Sequence, residues 1–474
     1  MRRRKKRGER HAFASRPTAA TVLSLSAVLS LHACGGRSGL AGSSTTAGTF
    51  AMTAGAPTSG GGSPTNGGSS STGGSASPNG ASGAASQAGW VASGGASAVS
   101  CNEVGCPGGM SCISGMCVLA QGPTHSSVRT VTTGTDPNSI VLGDWNGDGF
   151  VDVATANSTD GTVSVLLGLG DGNFAPRADY MAGANAYSLA TCDLNADKKA
   201  DLVTANRGDG TLRVLLGKGD GTFIPDDLYP APNGGGGRAV ACADLNDDGI
   251  ADVAVVNVLL ATVSVLLGTG NGKLATKVDY PTARSPSATA IGDLNHDGQP
   301  DVVTGNYGRA HVSVLLGKGD GTLAPHVDSE EPTEGTKSIA IADLNGDGDV
   351  DLGIGDAEGR GPPGNFGMMP GNGDGTFDPE ITYPPAISGC EVAAGDLDAD
   401  GRLDLVGTTY RGIGILFGQP GGKLLRGADF KLEHAATCAL AAGDLNDDKR
   451  LDLVVKESRT QLSTWLGVGD GTFR

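Results

Sequence analysis

The chain has 474 residues, of which 79 are glycine, 4% are aromatic and 18% are charged. It is too long for one compact core and too glycine-rich for a helical protein, so an array of repeated units is expected. A net charge of −17 argues against nucleic acid and anionic lipid as partners. Residues 1–33 hold eight Lys/Arg and one Glu, so without them 50 acidic residues face 26 basic ones, a charge of −24.

The first segment, a basic "MRRRKKRGER" followed by an apolar run from Ala19 to Leu31, reads as an export signal over 1–33. The run is too short for a permanent membrane helix. "LHAC" resembles a bacterial lipobox, with His32 as its departure, and makes Cys34 the expected lipid anchor. Gly35 after it points to an outer-membrane lipoprotein, at the cell surface or facing the periplasm, with secretion as the alternative. Residues 35–100, nearly all Gly, Ser, Ala and Thr, cannot bury enough apolar surface to fold. They are expected to be a disordered tether of ~65 residues, with a span on the order of 45 Å.

"CNEVGCPGGMSCISGMC" follows, with Cys101, Cys106, Cys112 and Cys117 in a small segment over 101–117. In an exported chain two disulfides are expected, with three connectivities open; the spacing is not that of a zinc ribbon.

From residue 124 to 474 a pattern returns seven times, with first aspartates at Asp144, Asp193, Asp244, Asp293, Asp343, Asp396 and Asp444, spaced 48–53 residues apart. One unit, "SLATCDLNADKKADLVTANRGDGTLRVLLGKGDGTFIPDDLYP", divides into four short strands bounded by Gly, Asp and Asn. Seven such units predict an all-β, seven-bladed propeller. The last unit stops at "GDGTFR", before its fourth strand. The segment around Val128 to Thr133 aligns with the outer strands of other units and is expected to complete the last blade, which removes two exposed edges.

The repeated loop reads D-x-N-x-D-G-x-x-D. Side-chain oxygens at positions one, three, five and nine, with a carbonyl at seven, suit a hard cation that takes six to eight oxygens. The expected ligand sets are Asp144, Asn146, Asp148, Phe150 and Asp152; Asp193, Asn195, Asp197, Lys199 and Asp201; Asp244, Asn246, Asp248, Ile250 and Asp252; Asp293, Asn295, Asp297, Gln299 and Asp301; Asp343, Asn345, Asp347, Asp349 and Asp351; Asp396, Asp398, Asp400, Arg402 and Asp404; and Asp444, Asn446, Asp448, Arg450 and Asp452. Up to seven Ca2+ ions are expected. Position six favours glycine because φ is positive there. Lys198 and Lys449 at that position, with Lys199 and Arg450 beside them, should weaken the second and seventh sites. Asp349 and Asp398 should strengthen the fifth and sixth. Turn formation by Asp and Asn alone is the competing account of these loops.

These loops, together with "VSVLLGLGDGNFAP" and its eroded counterpart "FGQPGGKL", resemble FG-GAP/VCBS repeats and the seven-bladed propeller of integrin alpha subunits. The resemblance implies calcium in the loops and a partner on the opposite face. Several other signals are discounted. "GLGDGN" lacks the βαβ context of a nucleotide site, and "RGD" at Arg207–Asp209 replaces "STDG" of the previous unit, which marks a variant turn. Tyr180, Tyr229 and Tyr280 recur at one position and are expected to pack between blades. Cys192 and Cys242 are out of register by one residue, which disfavours a bridge between them. Cys390 and Cys438 share a register, and either a bridge or two thiols would suit them.

No catalytic arrangement is visible, so an enzyme is not expected. The loops between second and third strands differ most and lie opposite the acidic loops. Arg207, Tyr307, Arg309, Arg360, Tyr410 and Arg411 there are the contact candidates for a protein or glycan partner. A monomer is expected, touching a membrane by its lipid anchor only. A lectin-like propeller or a polysaccharide lyase or hydrolase is the alternative.

Overall fold

The computed structural model describes residues 110–113, 116–119, 129–230, 237–307, 311–330, 335–356, 366–383, 389–409, 412–427, 429–432 and 438–474. The expected signal segment, Cys34, the tether, Cys101 and Cys106 lie outside them. Met110–Ile113 and Met116–Leu119 form a hairpin in which Cys112 stands opposite Cys117.

The repeats are seven four-stranded antiparallel meanders. Blade one runs Pro137–Gly143, Asp152–Asn157, Thr162–Leu166 and Ala178–Met181. The inner strands of blades two to seven are Ala186–Cys192, Gly237–Ala243, Pro286–Gly292, Thr336–Ala342, Gly389–Gly395 and Leu440–Gly443. Each packs against the next, and the last meets Pro137–Gly143 of blade one. Blade seven contains Leu440–Gly443, Asp452–Lys456 and Gln461–Trp465, with Arg129–Thr132 as the fourth strand in its sheet. Blade six departs from the others: both Lys423–Arg426 and Phe430–Lys431 pair with its third strand, Gly412–Gln419.

The core is seven clusters of buried side chains among the described residues, one for each gap between neighbouring blades. Alternation along a strand produces this arrangement. In Asp152–Asn157 every residue is buried; Val153 packs toward blade seven, whereas Ala154 and Ala156 pack toward blade two. The strands therefore read as continuous apolar runs, because both faces of each sheet are covered. Tyr180 sits in the gap between blades one and two, edge-on to Phe223 with ring centroids 5.5 Å apart. Tyr229 and Tyr280 pack into the next two gaps.

The same alternation corrects the expectation for Cys192 and Cys242, which form a disulfide with 6.4 Å between Cα atoms. The two strands belong to different sheets. The forward face of blade two meets the backward face of blade three, so side chains of opposite parity are the ones that meet. Cys192 and Cys242 occupy those two faces. Cys390 and Cys438 form a second disulfide, between blades six and seven. Their equal parity is accommodated by a register shift between Gly389 and Val392.

Candidate metal centres

Each acidic loop joins the inner strand of its blade to the second strand, and the same three sets of hydrogen bonds shape all seven, the first from the position-five N–H to the position-three side-chain oxygen, as from Asp148 to Asn146 at 2.9 Å. The position-six N–H donates to the position-one carboxylate, as from Gly149 to Asp144 at 3.0 Å and from Lys198 to Asp193 at 2.7 Å. The position-seven N–H donates to the position-five carboxylate, as from Phe150 to Asp148 at 2.9 Å. Position six has positive φ throughout, from +64° at Lys198 to +98° at Gly348. Position four does too, at Gly147, Ala196, Asp247, His296, Gly346, Ala399 and Asp447. That second turn was not visible in the sequence, because four different residue types occupy it. The turn-forming role of these Asp and Asn residues is thus present in the structure.

The position-nine aspartates stand apart. All seven are fully buried: Asp152, Asp201, Asp252, Asp301, Asp351, Asp404 and Asp452. One carboxylate oxygen accepts the position-two N–H and the other accepts a glycine N–H at the start of the "GxGDG" turn. Trp145 and Gly168 donate to Asp152 at 2.9 and 2.7 Å, and Leu294 and Gly317 donate to Asp301 at 2.9 and 2.7 Å. This residue ties the acidic loop to the turn between strands three and four, so both lie on one face of the ring. Burial pushes these carboxyls up, to about 6 at Asp152, Asp201, Asp252, Asp301 and Asp351 and to about 7 at Asp404 and Asp452. The amide bonds oppose the rise, and the charges of the neighbouring loop aspartates add to it.

The donor chemistry fits a hard cation, since every loop offers only carboxylate, amide and carbonyl oxygens. In loop six, oxygens of Asp396, Asp398 and Asp404 lie within 4.8 Å of one another. Arg402 pairs with Asp400 in that loop. The extra carboxylate of loop five, Asp349, bonds His296 of the preceding blade at 2.7 Å instead of turning into its own loop. In loop two, Lys199 lies 3.6 Å from Asp197.

A further link runs between blades. The last glycine of the "GxGDG" turn donates its N–H to the position-two carbonyl of the preceding blade's acidic loop. Gly221 bonds Trp145, Gly272 bonds Leu194, Gly321 bonds Leu245, Gly375 bonds Leu294, Gly471 bonds Leu397, and Gly172 of blade one bonds Leu445 of blade seven. Blade six is the exception, because Gly422 bonds Gln419 in its own turn. Each acidic loop thus touches its own blade through position nine and, at six junctions, the next blade through position two.

A family model described as an FG-GAP-like repeat matches residues 144–204, 193–255, 293–354 and 396–455. Each match begins at position one of an acidic loop and runs through the next loop, so all seven loops fall within matched residues. The propeller is built of FG-GAP-like repeats. No curated protein matches the chain. Among the solved structures similar to this FG-GAP-like propeller are three that each match over 71% of the chain. They are BBS1N in complex with ARL6DN (10% identity, TM-score 0.49, 94% of that chain); an Agrocybe aegerita lectin whose structure concerns recognition of non-reducing terminal N-acetylglucosamine (18%, 0.47, 92%); and a streptogramin B lyase (13%, 0.48, 97%). These likenesses carry no function to this chain.

The loops between second and third strands of the FG-GAP-like repeats lie opposite the acidic loops. Arg207 and Tyr307 are exposed there, whereas Arg309, Arg360, Tyr410 and Arg411 lie outside the described residues. The "RGD" of blade two is a turn: Asp209 accepts the N–H of Ala184 at 2.8 Å, as Asp160 of blade one accepts that of Thr135 at 2.6 Å. The turns in "GKGDGTF" are hairpins closed by bonds such as Lys218 N–H to the Thr222 carbonyl at 2.9 Å.

Proposed function

We propose that the protein is a calcium-stabilised extracytoplasmic binding scaffold, held to a membrane by lipid on Cys34, which displays the face opposite its acidic loops to a protein or glycan. The observation that carries this reading is the double attachment of the acidic loops, through position nine to their own blade and through position two to the next. Calcium held by one loop would fix both attachments, so the ions would brace the ring and leave the other face free to vary. The FG-GAP-like propeller is compatible with a binding scaffold, and the two disulfides between blades suit an oxidising compartment.

The test is calcium titration of the purified protein by calorimetry, with melting temperature followed in parallel, repeated for Asp343→Ala and Asp193→Ala. Several bound ions and a large rise in melting temperature are expected, with the greater loss from Asp343→Ala, since loop two already carries Lys198 and Lys199. No binding at millimolar calcium would reduce the loops to turn formers and overturn the proposal. Release of oligosaccharides from a polysaccharide panel would favour the lyase or hydrolase alternative.

A further inference from the structure

In six blades the inner strand bulges near the end remote from the acidic loop, with register shifts at Pro137/Ser139, Ala186/Ser188, Gly237/Val240, Pro286/Ala288, Thr336/Ser338 and Gly389/Val392. A bulge adds an unpaired residue and re-aims its side chain. Here Asn138, Tyr187, Arg238, Ser287, Lys337 and Glu391 all line one cavity of about 90 Å³. The cavity draws its walls from all seven inner edges, with Cys438 as the contribution of blade seven. It is the mouth of the central channel on the variable face.

The charge there is unusual for so acidic a chain. The Arg238 guanidinium lies 5.9 Å from the ring centres of both Tyr187 and Tyr307, and that of Arg207 lies 5.3 Å from Tyr187. Rings on which a guanidinium rests restrict its motion while leaving its N–H edge able to bond. Arg177, Arg402, Arg426 and Arg459 each pair with an aspartate, yet among the described residues neither Arg207 nor Arg238 pairs with a carboxylate. Lys337 adds a second cation at the rim, with Nζ 3.6 Å from Cys390 Sγ. The Ser338 hydroxyl donates to Glu391 at 3.3 Å. Burial pushes the Glu391 carboxyl up to about 8 against that bond.

We propose that this mouth binds the carboxylate of an acidic sugar at the end of a glycan, with Arg238 and Lys337 taking the charge and the bulge amide and hydroxyls taking sugar hydroxyls. A planar guanidinium without a carboxylate partner among the described residues suits a ligand carboxylate, which it can hold through two hydrogen bonds. A single water needs ~10–15 Å³ of such space, so this cavity holds the end of a chain and not the run of one. Asn138, Ser287, Thr289 and Ser338 make the lining amide- and hydroxyl-rich, which suits a polyhydroxylated ligand over an apolar side chain. The negative charge of the other face is screened over roughly 8–10 Å at physiological salt. The proposal rests on reading the variable face as the binding face.

The test is titration of the purified protein, in millimolar calcium, with sodium glucuronate, glucose and N-acetylglycylglycine, followed by calorimetry. Glucuronate is expected to bind, and glucose and the acetylated dipeptide to bind at least about tenfold more weakly, a difference that one charge-assisted pair can supply. Arg238→Gln should lose about the same factor, and Arg238→Lys should recover part of it. Where Arg238→Gln fails to fold, Lys337→Met makes the same comparison. Equal binding of glucose removes the carboxylate from the account, and equal binding of the dipeptide makes the ligand a peptide terminus; either overturns the proposal, as does an unchanged Arg238→Gln. Absence of glucuronate binding with an intact calcium response overturns this inference alone, whereas loss of the calcium response overturns the scaffold reading.

Discussion

Gly298 and Gly321 both have positive φ, at +81° and +78°, but they are glycines for different reasons. A Cβ on Gly298, at position six of loop four, would meet nothing within 4 Å, so only backbone conformation resists it. A Cβ on Gly321 would lie 2.7 Å from Leu267 of the preceding blade. Gly298→Ala is therefore predicted to cost about 1 kcal/mol, the usual left-handed penalty, and Gly321→Ala clearly more, as measured by denaturant unfolding. The converse substitution, Lys449→Gly, relieves a lysine held at φ +67° and should stabilise the protein by up to about 1 kcal/mol. Equal costs at Gly298 and Gly321 would refute the interblade contact. The need for glycine at position six was legible in the sequence because five of seven loops supply it. The burial of position nine was not, because a buried and an exposed aspartate are written alike.

At the scale of strands and turns, each junction is fastened by a gap-filling apolar cluster, and six of the seven also by a glycine N–H bonded to the preceding blade's acidic loop. Blades two and three, and six and seven, have a disulfide in addition. The junction of blades five and six has neither the glycine bond nor a disulfide, because in "FGQPGGKL" Gly422 bonds Gln419 within its own turn. Hydrogen exchange is predicted to open this junction first, with the inner-strand amides around Val392 to Ala394 exchanging faster than those around Ala241 to Ala243. Uniform protection around the ring would refute it. The eroded copy was recognisable in the sequence as the most divergent of its kind. Its mechanical consequence was not, since the missing bond is to a residue about 78 positions upstream, from Gly422 to Leu344 at position two of the acidic loop of blade five.

For the ring as a whole, its first described strand and its last strand meet in blade seven. Arg129–Thr132 pairs with Gln461–Trp465, the Thr133 N–H bonds the Thr460 carbonyl at 2.9 Å, and Arg459 holds Asp136 through two N–H groups, Nη2 at 2.5 Å. Arg459 keeps the Asp136 carboxyl low, at about 2. A depressed carboxylate contributes stability above its unfolded value near 4, and loses it as pH falls toward about 2. Arg459→Ala is accordingly predicted to lower the melting temperature by a small amount at neutral pH, since solvent screens an exposed pair, with the difference from wild type closing on acidification. Deletion of residues 126–133 should cost far more, because it uncovers an edge of blade seven. An unchanged melting temperature after that deletion would mean that the ring holds without its N-terminal strand.

The sequence by itself determined the repeat, its four strands, the number of blades and the left-handed turn at position six, because these are local: they depend on alternation, spacing and backbone conformation within one unit. Only the tertiary structure decided what meets across the gaps. It joined Cys192 to Cys242 against the parity expected within one sheet, turned Asp349 toward His296, and gathered Asn138, Tyr187, Arg238, Ser287, Lys337 and Glu391 around one cavity. Each of these relations lies between residues of different blades, about 50 or more positions apart, and follows from how two sheets face one another and from where their strands bulge. A pattern read along one strand contains neither.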